Sequence, residues 1–273
     1  MHLTSKGFPL FLTFDLDAET MWTGRDPEYA RRPIMMSQGA YGWKVGTDRI
    51  LKLLDQYEAK TTFFVPGLVV EQRPALMERI LEAGHEIAHH SYSHRWILTL
   101  SHDEEREEME RGFEAIRRVT GYAPKGWRSP AAELSDISMD LMLEYGFEYS
   151  SNFFDDDSPY LHVVNGKQTD LVELPFRWVL DDAPFFQYSI ALPGRTMQAP
   201  SAVAETWNLE LDVLHAEKRM MMIGFHPQII GQPSRLWVLE QLLKRARDKG
   251  DVWIGRCDEM VADMRPRLKA ATA

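Results

Sequence analysis

The chain has 273 residues, with 31 Lys+Arg against 41 Asp+Glu, a formal charge of −10 with histidines neutral. Hydrophobic residues make up 44% and charged residues 26%, the balance of an ordinary globular protein, which argues against disordered, collagenous and membrane-embedded classes. A lone cysteine, Cys257, rules out an internal disulfide framework and any zinc site built on several thiolates, so a metal would be held by nitrogen and oxygen.

In chain order, short β-branched or aromatic runs at 9–14, 61–65, 86–89, 125–128, 171–174, 220–225 and 252–254 read as strands. Segments of helical period lie between and after them, at 47–57, 74–83, 101–119, 136–145, 201–217, 233–249 and 258–264. Ser101 with Glu104 three residues later is a capping box, and the charges of the helix it opens read as a solvated face. The stretch 153–168 reads as loop, and Met220 to Met222 as core filling. Alternating β and α segments imply a parallel sheet, and no repeat, low-complexity tract or linker divides them. One α/β domain over residues 1–273 is the expectation. The N-terminal segment MHLTSKGFPLFLTFDLD lacks the features of a secretory signal, and no apolar run approaches the roughly 18 residues of a membrane helix. A cytoplasmic protein with no membrane partner is expected, and the charge gives no sign of a nucleic-acid partner.

Polar residues recur at the C-terminal ends of the apolar runs: Asp15 and Asp17 after FLTF, His90 and His94 after HEIAH, Arg128 after KGW and His226 after MMMIGF. In a parallel barrel these ends share one face, where loops build active sites. Two histidines four apart can reach one ion, and a carboxylate from Asp15 or Asp17 would complete a site with open positions for water. The other carboxylate could then accept a proton from water whose pKa a cation lowers from about 15.7 to roughly 7. Surface histidines and an Asp turn are the plain alternatives. A lone His226 is as often a hydrogen-bonded core residue as a catalyst. Asp155 to Asp157 read as solvated loop charges, Asp181 and Asp182 could line a pocket, and Glu19 and Glu133 are further candidates. Trp22, Tyr41, Trp43 and Tyr160 could stack on a ring or pack down as lids, and the paths of 22–43 and 153–168 do not follow from the sequence.

These elements together resemble the NodB-type polysaccharide deacetylases, through FLTFDLDAE, AKTTFFVPG, HHSYSH, WRSPAAE, ELPFRWVLDD and GFHP in that order. The resemblance implies a distorted (β/α) barrel of about seven parallel strands and metal-dependent hydrolysis of a non-peptide amide bond, commonly in an N-acetylated sugar. It implies Asp15 as general base, Asp17, His90 and His94 as metal ligands, Arg128 as the residue orienting the base and His226 as general acid, supported by Asp181 or Asp182. Trp22, Glu133 and Asp182 are the candidates for substrate contact. Asp-Leu-Asp in place of adjacent aspartates, and Ala131-Ala132 where an aromatic often follows the proline, resemble an intracellular branch of peptidoglycan-deacetylase-like, allantoinase-like and cyclic-imide-hydrolase-like proteins. That branch implies a small amide, cyclic imide or ureide as substrate, with a sugar polymer as the alternative, and a homo-oligomer. Zinc suits two imidazoles and a carboxylate, and cobalt, nickel or iron share the ligand preference. A non-haem iron oxygenase would show a short His-x-Asp/Glu pair with a distant histidine, the reverse of the spacing here. A non-catalytic metal- or sugar-binding barrel would not need Asp15, Arg128 and His226.

Overall fold

Strand β1, Phe8–Asp15, is buried along its whole length because it is paired on both edges and an apolar cluster covers each of its faces. The computed structural model describes residues 3–192 and 194–272. After β1 come β2 (Thr62–Val65), β3 (Glu86–His89), β4 (Gly126–Trp127), β5 (Tyr149–Ser150), β6 (Tyr160–Val164), β7 (Lys167–Glu173), β8 (Met221–Phe225) and β9 (Val252–Ile254). They form one sheet in the order β6-β7-β5-β4-β3-β2-β1-β8, with β9 also on β1, and every pairing is parallel except the β6–β7 hairpin. The sheet curls, and a parallel bridge from Asp181 to Gly224 extends it beyond β8.

Side chains alternate across a strand, and this parity positions the site. Leu10, Leu12 and Phe14 face outward into a core shared with the helices Thr47–Gln56, Pro200–Ala216 and Pro233–Lys249, through residues such as Ile50, Trp207 and Leu242. Phe11 faces the other way, into a cluster with Phe64, Ala88, Met222 and Met260, closed by the helix Cys257–Thr272. Thr13, Asp15 and Asp17 continue the inner series toward the C-terminal end of β1. Near the strand starts, Glu86 on β3 accepts hydrogen bonds from Thr62, Tyr149 and the Asp258 amide, joining that helix to the sheet. Cys257 is buried, as expected of a structural thiol.

All seven expected strands are present, and the differences lie elsewhere. β5 has two residues, too few to show a pattern. β6 and the start of β7 lie in the stretch expected to be loop, joined by Asn165-Gly166 with φ of 50° and 73°. Asn-Gly at positive φ is the signature of a two-residue hairpin turn, so that signal stood in the sequence. The segment 22–43 is largely helical, with Pro27–Arg31 and Pro33–Tyr41 each opened by proline. The last helix continues beyond 264, through Pro266 to Thr272.

The helix His102–Thr120 carries the expected capping box, but its charges are not all solvated. Glu105 and Glu108 fall on the inward stripe with Met109 and Ile116 and are buried. Glu105 is satisfied by the hydroxyls of Ser135 and Ser138. Among the described residues no helix is long and apolar enough to cross a membrane.

Candidate active site

Asp17, His90 and His94 converge although they come from two strand ends. Each offers one ligand atom, and these atoms lie within 4.8 Å of one another. Asp17 Oδ1 stands 3.4 Å from His90 Nε2 and 3.5 Å from His94 Nε2. Ligand atoms about 2.0–2.1 Å from a tetrahedral ion are separated by roughly 3.3 Å, so the spacing fits a shared cation. The Nδ1 of His90 is 2.7 Å from the Arg128 carbonyl, which can only accept, so this nitrogen carries the proton and Nε2 presents its lone pair. Both Asp17 oxygens are buried without a hydrogen-bond partner. Such a carboxylate is costly unless a cation sits on it. Burial pushes the Asp17 carboxyl up, yet the surrounding His94, His90 and His226 hold it at about 2.

The loop carrying these histidines is bent by two non-glycine residues in the left-handed region, Ser91 with φ 64° and His94 with φ 63°. Glu108 offsets that strain. Its carboxylate accepts from Ser91 Oγ at 2.6 Å, Tyr92 N at 3.1 Å, Ser93 N at 2.7 Å and Ser93 Oγ at 2.5 Å. Sequence reasoning missed Glu108; the signal was an acidic residue on an apolar helical stripe.

Asp15 lies beside this triad, with Oδ2 4.0 Å from His90 Nε2. Arg128 Nη1 donates to Asp15 Oδ1 and to Thr13 Oγ1, each at 2.8 Å, and Nη2 donates to Ser151 Oγ at 2.9 Å. Its guanidinium carbon lies 4.3 Å from the Phe64 ring centroid and 4.9 Å from that of Phe176. Those rings hold the fork in one plane. The polar partners Thr13, inside an apolar run, and Ser151, between Ser150 and Asn152 after a two-residue strand, went unnoticed.

His226 flanks the triad on another side, with Nε2 3.7 Å from Asp17 Oδ2. Its Nδ1 is 2.7 Å from Asp182 Oδ1, against 3.9 Å from Asp181 Oδ1, so Asp182 is its hydrogen-bond partner. Burial pushes the imidazole down, but Asp182 and Asp181 outweigh it and hold His226 well above the ordinary histidine range. Burial, opposed by His226 and reinforced by Asp182, pushes Asp181 up to about 7. Asp181, Asp182 and His226 also have metal-like spacing. Both Asp182 oxygens, however, are already engaged by His226, which makes the Asp17 cluster the better cation site.

Asp15, Asp17, His90, His94, Arg128, Asp181 and His226 line a cavity of about 710 Å³, a size suited to a small molecule. Trp22, which is buried, lines it together with the exposed Trp96 and Trp178. Asp182 sits behind His226 rather than on the surface of the cavity. Glu133 is exposed and does not line it; its carbonyl accepts from Ser129 Oγ at 2.5 Å. Glu19 is tied to Trp43 Nε1 at 3.0 Å and to Arg73, and Tyr160 to Asp155, so none of these reaches the reacting groups.

The sequence profile of the family described as polysaccharide deacetylase matches residues 39–150, a stretch holding His90, His94 and Arg128 but not Asp15, Asp17 or His226. A solved Mycobacterium smegmatis protein named as a polysaccharide deacetylase is 34% identical, with a TM-score of 0.90 over 96% of this chain and 91% of that one. The chain belongs to the polysaccharide deacetylase family. It is thereby a hydrolase of carbon–nitrogen bonds other than peptide bonds, in a family whose deacetylases use a divalent metal. A curated relative, the peptidoglycan deacetylase of Helicobacter pylori, is 28% identical over 268 residues, covering 88% of this chain and 90% of its own length. An allantoinase structure shares the fold, with a TM-score of 0.84 at 24% identity over 96% of this chain and 93% of its own. The curled, mainly parallel sheet is that of these deacetylase barrels.

Proposed function

We propose that this member of the family, acting as one catalytic domain, hydrolyses a small amide, cyclic imide or ureide with a cation on Asp17, His90 and His94. The observation that carries the reading is the placement of two proton-handling pairs, Asp15 with Arg128 and His226 with Asp182, beside one triad whose carboxylate is otherwise unsatisfied. A divalent cation there, zinc by its fit to two imidazoles and a carboxylate, would polarise the scissile carbonyl and make a water molecule more acidic. Asp15, held by Arg128, takes the proton from the attacking water. His226, protonated and oriented by Asp182, gives a proton to the leaving nitrogen from Nε2. A binding protein would need neither pair.

The Asp-Leu-Asp and Ala131-Ala132 departures support a small substrate over a polymer. The second reading, an N-deacetylase of acetylated sugar polymers, is favoured by the name of the Helicobacter pylori relative. The test is product release by metal-analysed protein from an N-acetylglucosamine oligomer, a simple cyclic imide and allantoin. Ring opening supports the small-molecule reading, and acetate from the oligomer alone supports the second. Bound metal without turnover of any of the three would overturn both in favour of a binding protein.

A further inference from the structure

A second cavity, of about 510 Å³, adjoins the first and shares Met21, Trp22 and Gln187 with it as a common wall. The wall is built on a flexible thioether: Met21 Sδ accepts from Gln187 Nε2 at 3.2 Å and from Gln228 Nε2 at 3.5 Å. Arg235 lines this second cavity. It is half-buried, and burial pulls its guanidinium below the ordinary arginine range. It forms no ion pair among the described residues; its one hydrogen-bond acceptor is Met197 Sδ at 3.0 Å, and the Phe186 ring lies 5.2 Å away. Asp182, the carboxylate that acts on it from a distance, already accepts two hydrogen bonds from His226. The contrast with Arg128, whose fork is filled by Asp15, Thr13 and Ser151, is direct. A partly desolvated guanidinium with only a weak sulfur acceptor retains donors suited to a planar oxyanion. Gln38 and Gln232 add amides to the same wall.

We propose that the second cavity binds a carboxylate or phosphate group on Arg235. The anion is either the far end of a molecule whose amide lies in the first cavity or a separate small anion. The first case rests on the hydrolase reading above, and the site itself does not.

The test uses the metal-loaded protein. Calorimetric titration with glutarate should show binding that R235Q weakens about tenfold or more, the worth of a charged hydrogen bond, and that R235K partly restores. Equal binding by wild type and R235Q, or none by wild type, would overturn the proposal; circular dichroism checks that R235Q is folded. The source of the anion follows from KM for N-acetyl-6-aminohexanoate and for N-acetylhexylamine, amides that differ in one distal charge. A lower KM for the acid, abolished in R235Q at unchanged kcat, assigns the site to substrate. Equal KM values beside Arg235-dependent glutarate binding assign it to a separate anion. Glutarate binding of that kind in a protein that hydrolyses no amide would sink the catalytic reading and leave this site standing.

Discussion

His226 and Asp182 are joined twice, through Nδ1 to Oδ1 at 2.7 Å and through the His226 backbone amide to Oδ2 at 3.0 Å. The double link fixes both the ring orientation and the nitrogen that carries the inner proton, leaving Nε2 for the cavity. Asp182→Asn should let the ring take the other tautomer and lower kcat by about 10²-fold or more, with metal content unchanged. Steady-state kinetics beside metal analysis checks this. Wild-type kcat in the variant would reduce Asp182 to a structural residue.

Metal content should separate the roles of the two halves of the site. Asp15→Asn is expected to abolish turnover while the cation stays bound, and His94→Ala to lose the cation itself. Full occupancy in His94→Ala, or activity in Asp15→Asn, would count against the respective role.

Glu108 touches no reacting group, yet it accepts four hydrogen bonds from the loop between the two histidines. Glu108→Ala strands several donors and frees two strained residues. The expected cost is about 3 kcal/mol or more of stability, with metal affinity weakened roughly 10–100-fold. Denaturant melts and competitive chelation measure the two effects. Loss of stability at full metal affinity would make Glu108 a folding residue only.

Glu86, far from the site, gives a pH dependence. Burial and the nearby Asp258 push its carboxyl from 4.5 up to about 7, against the hydrogen bonds it accepts. A folded state that holds the proton more tightly than the unfolded chain loses stability as pH rises between those two values. Glu86→Gln removes that loss, so its melting temperature should gain on the wild type from pH 4.5 to pH 7 and then stay level. A gap that does not change with pH would show that Glu86 titrates normally.

Much of the site was legible because catalytic chemistry needs rare residue types at fixed places. Aspartate, histidine and arginine at the ends of apolar strands stand out against their surroundings, and parallel strands bring those ends to one face. Asp15, Asp17, His90, His94, Arg128 and His226 could be picked out for that reason. Thr13 and Ser151 could not, since a small hydroxyl, whether inside an apolar run or beside other polar residues, carries no signal until a guanidinium is placed against it.

By itself, then, the sequence determined the alternation of strands and helices, the seven principal strands and the six residues at their ends, because periodicity and strand parity are local properties. Tertiary structure alone decided the rest. It chose Asp182 over Asp181 as the partner of His226, set Glu108 under the histidine loop, left Glu133 outside the cavity and placed Arg235 in a neighbouring one. Each of these depends on distances between segments far apart in the chain, and such distances follow from how the curled sheet and its helices pack rather than from any residue's near neighbours.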